Sequence, residues 1–125
     1  MKAHVLLAAA SPILLLVGCT GGRATAPYRV ATGGNVREGR KVIQSSGCGA
    51  CHTIPGIHAA NGELGPPLNS FGRRTMIAGE LPNTPDNLIR WIENPPGVES
   101  GTAMPNLGLD DQQARDAAAY LYTLR

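Results

Sequence analysis

Two cysteines and a histidine fall within five consecutive residues, Cys48-Gly49-Ala50-Cys51-His52, and this spacing constrains the chain more than any other feature. Two thiols separated by two residues can each add across a vinyl group on one edge of a porphyrin and form thioethers. The histidine that follows is then held beneath the iron and can supply an axial nitrogen. The motif predicts one covalently bound haem c per chain, attached at Cys48 and Cys51, with His52 as an iron ligand.

Two other kinds of site use a similar cysteine pair, and the sequence supports them less. A structural zinc ion needs four ligands, and Cys19 and His58 are poorly placed to complete the set. A thiol redox pair of the thioredoxin kind is expected beside a βαβ pattern, which is not apparent around Cys48 and Cys51. A protein of either kind would be colourless, so the visible spectrum separates them from a haem protein.

Residues 1–18 are typical of a secretory leader. Lys2 provides a charged start, and an apolar stretch from Val5 to Val17 leads to small residues before Cys19. The run Leu16-Val17-Gly18-Cys19 resembles a bacterial lipobox, in which the leader is cut before a cysteine whose thiol receives a diacylglycerol. We predict a lipoprotein signal peptide at 1–18 and lipidation at Cys19.

The leader also predicts where the protein works. An ordinary signal peptide with an incidental cysteine is an alternative, whereas the apolar stretch is shorter than the roughly 20 residues that span a bilayer. We expect an exported protein, anchored by lipid on Cys19 and facing the periplasm or another extracytoplasmic side. Residues 19–34, rich in Gly, Ala and Thr, are predicted to be a lipidated flexible tether, and 35–125 to be the folded domain.

Composition limits how this domain can build a core. The chain contains one Phe and one Trp, and a buried porphyrin would supply the large apolar body that these residues do not. The formal net charge is +2, and loss of Lys2 with the leader would lower it to +1. This balance gives no indication of nucleic-acid binding.

Capping residues and apolar spacing predict three helices and no convincing strands. The helices are expected to begin at Asn35, Thr84 and Asp110, because each can cap a first turn that precedes an amphipathic pattern. The second should end before Pro95. A glycine inside a helix costs about 1 kcal/mol relative to alanine, so Gly39 in the first helix indicates close packing, most simply against small residues of the last.

Over residues 34–125 the chain resembles the class I cytochromes c. The motifs that carry the resemblance, beyond the haem motif, are Gly65-Pro66-Pro67-Leu68, Gly72-Arg73, Asn94-Pro95 and Gly101-Thr102-Ala103-Met104. The resemblance implies a small all-α fold, in which the N- and C-terminal helices cross near Gly39 and Tyr120-Leu121 while loops wrap around one haem.

The same resemblance assigns roles around the haem. By that likeness the backbone carbonyl of Pro66 accepts a hydrogen bond from the second nitrogen of His52. Leu68 and Trp91 would line the haem pocket. Arg73 would lie near a propionate, a role for which Arg74 is an equally good chemical candidate.

The sixth iron ligand must come from the other haem face. Met104 lies far enough beyond His52 for the chain to travel around the porphyrin, and Pro105 favours an extended loop at this point. Met76, His58 or an open position are the alternatives to Met104. We predict His52 and Met104 as the axial ligands.

These ligands predict a one-electron carrier and not an enzyme, because a nitrogen and a thioether fill both axial positions and raise the potential. The run from Asn83 to Ile92 resembles the cytochrome c domain of haem-copper oxidase subunit II, which implies a respiratory donor upstream and a terminal oxidase as acceptor. The alternatives are the haem subunit of a periplasmic dehydrogenase complex, or a gas sensor or peroxidase-like protein if Met104 is not a stable ligand.

Overall fold

The computed structural model describes residues 32–125, and the predicted leader, Cys19 and most of the predicted tether lie outside this part. Its helices are α1 (Val36–Ser45), α2 (Pro85–Glu93), α3 (Pro95–Val98) and α4 (Asp111–Leu121), and its strands are β1 (Met76–Ile77) and β2 (Leu81–Pro82). Single turns of 3-10 helix lie at Cys48–Ala50 and Phe71–Arg73. None of the helices in this range is long and apolar enough to cross a membrane. The predicted all-α class is confirmed.

The three predicted helices begin at the predicted caps. The Asn35 side chain accepts from the backbone N–H groups of the first turn of α1, and Thr84 Oγ1 accepts from Asn87 N at 3.4 Å at the start of α2. At α4, Asp110 and Gln113 each accept from the other's backbone N–H, at 2.8 and 3.0 Å. These side chains satisfy N–H groups that the helix itself leaves without partners.

Helices α1 and α4 pack against each other where Gly39 meets the turn at Asp116. A Cβ on Gly39 would overlap the backbone carbonyl oxygen of Asp116, so the two backbones approach as closely as they do only because residue 39 has no side chain. The facing side of α4 is built from alanines, with Ala114, Ala117 and Ala118 all buried. The predicted crossing of the terminal helices at Gly39 is therefore confirmed.

Described residues that precede the predicted boundary at residue 35 also contact α4. Thr32 is only 3% exposed, and its carbonyl accepts from Arg115 Nη1 at 3.1 Å. Asn35 N donates to Asp116 Oδ1 at 2.7 Å. Residues 32–34, which were predicted as part of the tether, thus pack on α4. Local composition did not indicate this, because the partners lie some 80 residues away in the chain.

A short hairpin corrects the expectation that the chain has no strands. Strands β1 and β2 are antiparallel, with Met76 opposite Pro82 and Ile77 opposite Leu81. The turn between them has positive φ at both Ala78 and Gly79, and Glu80 N donates to Ile77 O at 3.0 Å. With two residues per strand there is no alternating pattern to detect, and alanine at the first turn position is not a typical hairpin residue.

The C-terminal end of α4 is tied to the middle of the chain by Tyr122. Its hydroxyl donates to Asn83 Oδ1 at 2.8 Å, and its ring contacts Phe71 edge-on with centroids 6.1 Å apart. Burial raises the pKa of Tyr122 from 10.0 to about 12. The C-terminus therefore fixes the loops that precede α2.

Substituting Gly39 by alanine should lower the free energy of unfolding by about 3 kcal/mol, because the new methyl group forces α1 and α4 apart. Guanidinium unfolding of the haem protein, followed by circular dichroism, measures this. Gly101→Ala is the matched control, since its Cβ would come no nearer than 3.6 Å to Glu99 Oε1. Its change should stay within about 0.5 kcal/mol. Equal stability of the two variants would contradict the close approach.

Tyr122 should make stability fall at alkaline pH. Its pKa is higher in the folded than in the unfolded chain, so its contribution is complete below about pH 10 and is lost as the pH rises through about 12. Unfolding measurements across this window should show a smaller decline for Tyr122→Phe than for the unsubstituted protein. Carbon-13 NMR of labelled tyrosine gives the pKa directly, and a Tyr122 titration midpoint near 10 would contradict the prediction.

Candidate haem-binding site

The haem motif forms one helical turn directly after α1. Ala50 N donates to Gly47 O at 3.0 Å, and the N–H groups of Cys51 and His52 both donate to Cys48 O, at 3.3 and 3.0 Å. Residues three apart on a helical turn lie on the same side, so Cys48 and Cys51 face one way. Both side chains are half-buried. The turn thus presents two thiols along one edge, as attachment to two vinyl groups requires.

The loop after the motif folds back over it. Gly62 N donates to Gly49 O at 3.0 Å, and Gly65 N donates to Cys51 O at 2.7 Å. Tyr120 on α4 secures the middle of this loop, with its hydroxyl donating to Pro55 O at 2.7 Å. Backbone bonds therefore tie this loop to the attachment turn, and the C-terminal helix holds the middle of the loop.

The surroundings of the cysteines bear on the two alternative sites. Burial raises the pKa of the Cys48 thiol, whereas a reactive redox cysteine has a lowered pKa that favours the thiolate. Within residues 32–125, no group of three or more His, Cys, Asp or Glu side chains is arranged to hold a metal ion. The geometry thus gives no support to a thiol redox pair or a zinc site.

The ring of His52 is oriented by the next segment of chain. Its Nδ1 lies 2.7 Å from Pro66 O, and because a carbonyl oxygen can only accept, Nδ1 carries the proton. The Nε2 lone pair is then available to a metal. Gly65 lies against the ring so closely that a Cβ there would overlap His52 Cε1. The His52 to Pro66 contact is the one that the class I resemblance implied.

Three further predicted residues meet at the apolar core. Trp91 on α2 is 8% exposed, and Leu68 and Met104 are half-buried and pack against the same cluster of buried side chains. Leu68 N donates to Thr53 O at 2.8 Å, and Met104 N donates to Thr102 Oγ1 at 3.2 Å. These bonds fix the backbone of the loop that contains Leu68 and of the loop that contains Met104.

The other two candidate iron ligands lie in different surroundings. Met76 is on β1 and 42% exposed. His58 is exposed on the loop after the motif, where its carbonyl accepts from Gln44 Nε2 at 3.1 Å. Neither side chain shares the half-buried position of Met104.

Arg73, which ends the Phe71–Arg73 turn, and Arg74, which follows it, have different surroundings. Arg73 is exposed, whereas Arg74 is half-buried. The guanidinium of Arg74 donates to Pro67 O and, at 3.3 Å, to Asn69 O, and its Cζ lies 5.5 Å from the centroid of the Phe71 ring. The contacts of the Arg74 guanidinium are therefore with the loop that directly precedes Arg74.

The model of the cytochrome c family matches residues 36–125, which is most of the chain. This chain belongs to the cytochrome c family.

The curated relatives that it resembles are cytochrome c oxidase subunits 2 of bacilli. This cytochrome is 35% identical over 91 residues to the subunit of Alkalihalophilus pseudofirmus, covering 70% of the chain and 25% of that protein. It is 30% identical over 100 residues to the subunit of Bacillus sp. PS3, covering 77% and 28%. The subunit of Bacillus subtilis is 25% identical over 93 residues, covering 71% and 26%. The cytochrome thus spans about a quarter of each relative.

Membership of the family gives the cofactor. The protein is a class I c-type cytochrome that carries covalently bound haem c, and Cys48 and Cys51 are the thiols of its CxxCH motif. The donor set fits this cofactor, because the thiols lie on one helical turn and the His52 tautomer leaves Nε2 free. The half-buried thioether of Met104 lies on a separate loop of the same core.

Sequence reasoning missed three residues that shape the site. Gly65 belongs to one of the motifs that carry the resemblance, but nothing in the sequence indicated its contact with the His52 ring. Asn83 entered only as the first residue of the run that resembles oxidase subunit II, whereas its amide donates to Arg74 O at 2.9 Å and to Phe71 O at 3.3 Å. Arg74 was weighed only as a propionate partner. No signal in the sequence identifies these contacts, since each joins residues of separate loops.

Proposed function

We propose that this chain is a membrane-anchored monohaem cytochrome c that carries one electron at a time in a respiratory chain. The observation that supports it most is the hydrogen bond from His52 Nδ1 to Pro66 O, which leaves Nε2 as an axial donor. Met104 is proposed as the opposite ligand, since it is half-buried at the core while Met76 is 42% exposed. When bound, haem c supplies an iron that exchanges single electrons.

This ligand pair favours electron transfer over catalysis. Protein groups would fill both axial positions, so a substrate could not reach the metal. A thioether ligand stabilises the reduced state and raises the potential. His52 is held by Pro66 and Met104 by the loop that Thr102 fixes, so both ligands can stay in place in either oxidation state.

A terminal oxidase is the electron acceptor that we propose. The support is similarity to three proteins named cytochrome c oxidase subunit 2, each of which contains a region that resembles this cytochrome. An upstream respiratory protein would be the donor. Contacts with both would be small and transient, as is usual for redox partners.

Lipid on Cys19 is the proposed membrane anchor, with the haem domain on the periplasmic or another extracytoplasmic side. The support is the lipobox-like run that ends at Cys19, after an apolar stretch that suits export. Attachment of this kind would raise the local concentration of membrane-bound redox partners.

Met104→Ala should remove the sulfur-to-iron charge-transfer band from the visible spectrum of the oxidised protein. The potential should fall by on the order of 0.2 V, within the range of about 0.8 V that axial ligands cover. The reduced variant should bind CO readily, because one axial position is then open. Absorption spectroscopy and a redox titration of protein matured with its haem measure all three effects.

Met76→Ala is the matched control and should keep the band, the potential and the resistance to CO. Loss of the band in Met76→Ala alone would overturn the choice of ligand. CO binding by the unsubstituted reduced protein would favour a gas sensor or a peroxidase-like protein over an electron carrier.

Cys19→Ser should release the full-length protein from membranes, because several acyl chains on one residue give durable anchoring and a hydroxyl receives none. Fractionation of expressing cells after a salt wash should show at least about a tenfold loss of haem from the membrane fraction. Thr20→Ser, the neighbouring control, should remain in the membrane. Retention of a Cys19 variant from which the leader has been removed, as shown by mass spectrometry, would contradict lipid anchoring at this residue.

A further inference from the structure

The segment that orients His52 contains two consecutive prolines, Pro66 and Pro67. Neither has a backbone N–H, so this segment offers carbonyl acceptors but no donors. Backbone bonds fix it on either side, from Gly65 N to Cys51 O at 2.7 Å and from Leu68 N to Thr53 O at 2.8 Å. Between these points the position of the two carbonyls depends on donors that come from elsewhere.

Arg74 supplies the donor for the second of these carbonyls. In the part of the chain that the structure describes, its guanidinium and the ring of His52 are the side chains bonded to the diproline, Arg74 to Pro67 O and His52 to Pro66 O. The same guanidinium donates to Asn69 O and lies over the Phe71 ring, so it spans the loop. An arginine is suited to this, because its planar fork holds several acceptors at once.

The backbone of Arg74 is itself anchored. Its N–H donates to Phe71 O at 3.0 Å, and its carbonyl accepts from Asn83 Nδ2 at 2.9 Å. Asn83 in turn accepts from the Tyr122 hydroxyl at 2.8 Å. A continuous series of hydrogen bonds therefore runs from the C-terminal end of α4 to the diproline beside His52.

We propose that Arg74 is a positioning residue for His52. By holding Pro67 O it keeps the neighbouring Pro66 O in place to accept from Nδ1, and so sets how strongly the imidazole donates to the iron. A strong bond at Nδ1 makes the ring a better donor and stabilises the oxidised iron. This inference rests on the proposed ligation by His52 and is independent of Met104.

The test is hydrogen exchange of the His52 Nδ1 proton, measured by NMR on the reduced, fully matured haem protein. Arg74→Met, which keeps an unbranched side chain and removes its donors, should exchange this proton about tenfold faster. Arg74→Lys keeps the charge and replaces the planar guanidinium by a single ammonium group. It should give an intermediate exchange rate for the His52 proton and a higher reduction potential than that of the unsubstituted protein.

Two comparisons separate positioning from a general loss of stability. Exchange of the backbone amides in α4 should stay unchanged in Arg74→Lys. If Arg74 only stabilised the fold, the substitution would accelerate exchange of these amides as well as of the His52 Nδ1 proton. Arg37→Met removes a charge from the exposed face of α1 and should leave the His52 proton unaffected. If Arg74→Met does not mature, the Arg74→Lys rate decides by itself.

An unchanged His52 exchange rate in Arg74→Lys would overturn the proposal, as would a larger effect of Arg73→Met than of Arg74→Met. The CO and visible spectra of the same samples report on Met104 separately. Failure of the proposed electron-carrier function would appear in those spectra, and failure of the positioning role would appear in the exchange rate.

Discussion

The contact between the backbones of α1 and α4 is the constraint on which the other parts of this cytochrome depend. Gly39 lets the two helices meet at Asp116, and the haem motif follows α1 directly. Helix α4 then holds both later loops, through Tyr120 to Pro55 and through Tyr122 to Asn83. A short alanine-rich helix can organise the domain in this way because its small residues allow close approach while its tyrosines reach outward to backbone and amide acceptors.

Backbone carbonyls orient the ring of His52, the predicted iron ligand. Pro66 O fixes both the tautomer and the angle of the ring, and Gly65 leaves the space in which the ring lies. A diproline presents acceptors without donors of its own, so its geometry has to be completed by other residues. Arg74 completes it here, which makes the polar network of the loop part of the haem environment although Arg74 is remote from His52 in sequence.

Features of the fold could be predicted from the sequence where the interacting residues lie close together in the chain. The helix starts at Asn35, Thr84 and Asp110 were predicted correctly because a cap and its partners lie within three residues. The β1–β2 hairpin was missed because its strands are too short to show a pattern. The contacts of Thr32 with α4 were missed because Arg115 is distant in sequence. Lipidation of Cys19 and ligation by Met104 stay predictions.

The sequence by itself determined the haem c attachment, since Cys48, Cys51 and His52 are adjacent and their chemistry needs only a single helical turn. It also determined the class of fold, through caps and apolar spacing that act over a few residues. Only the tertiary structure decided which arginine supports the diproline, where Asn83 and Tyr122 meet, and how closely Gly65 approaches the ring. The physical reason is that these contacts join distant segments, and no local pattern of residues encodes which surfaces the folded backbone brings together.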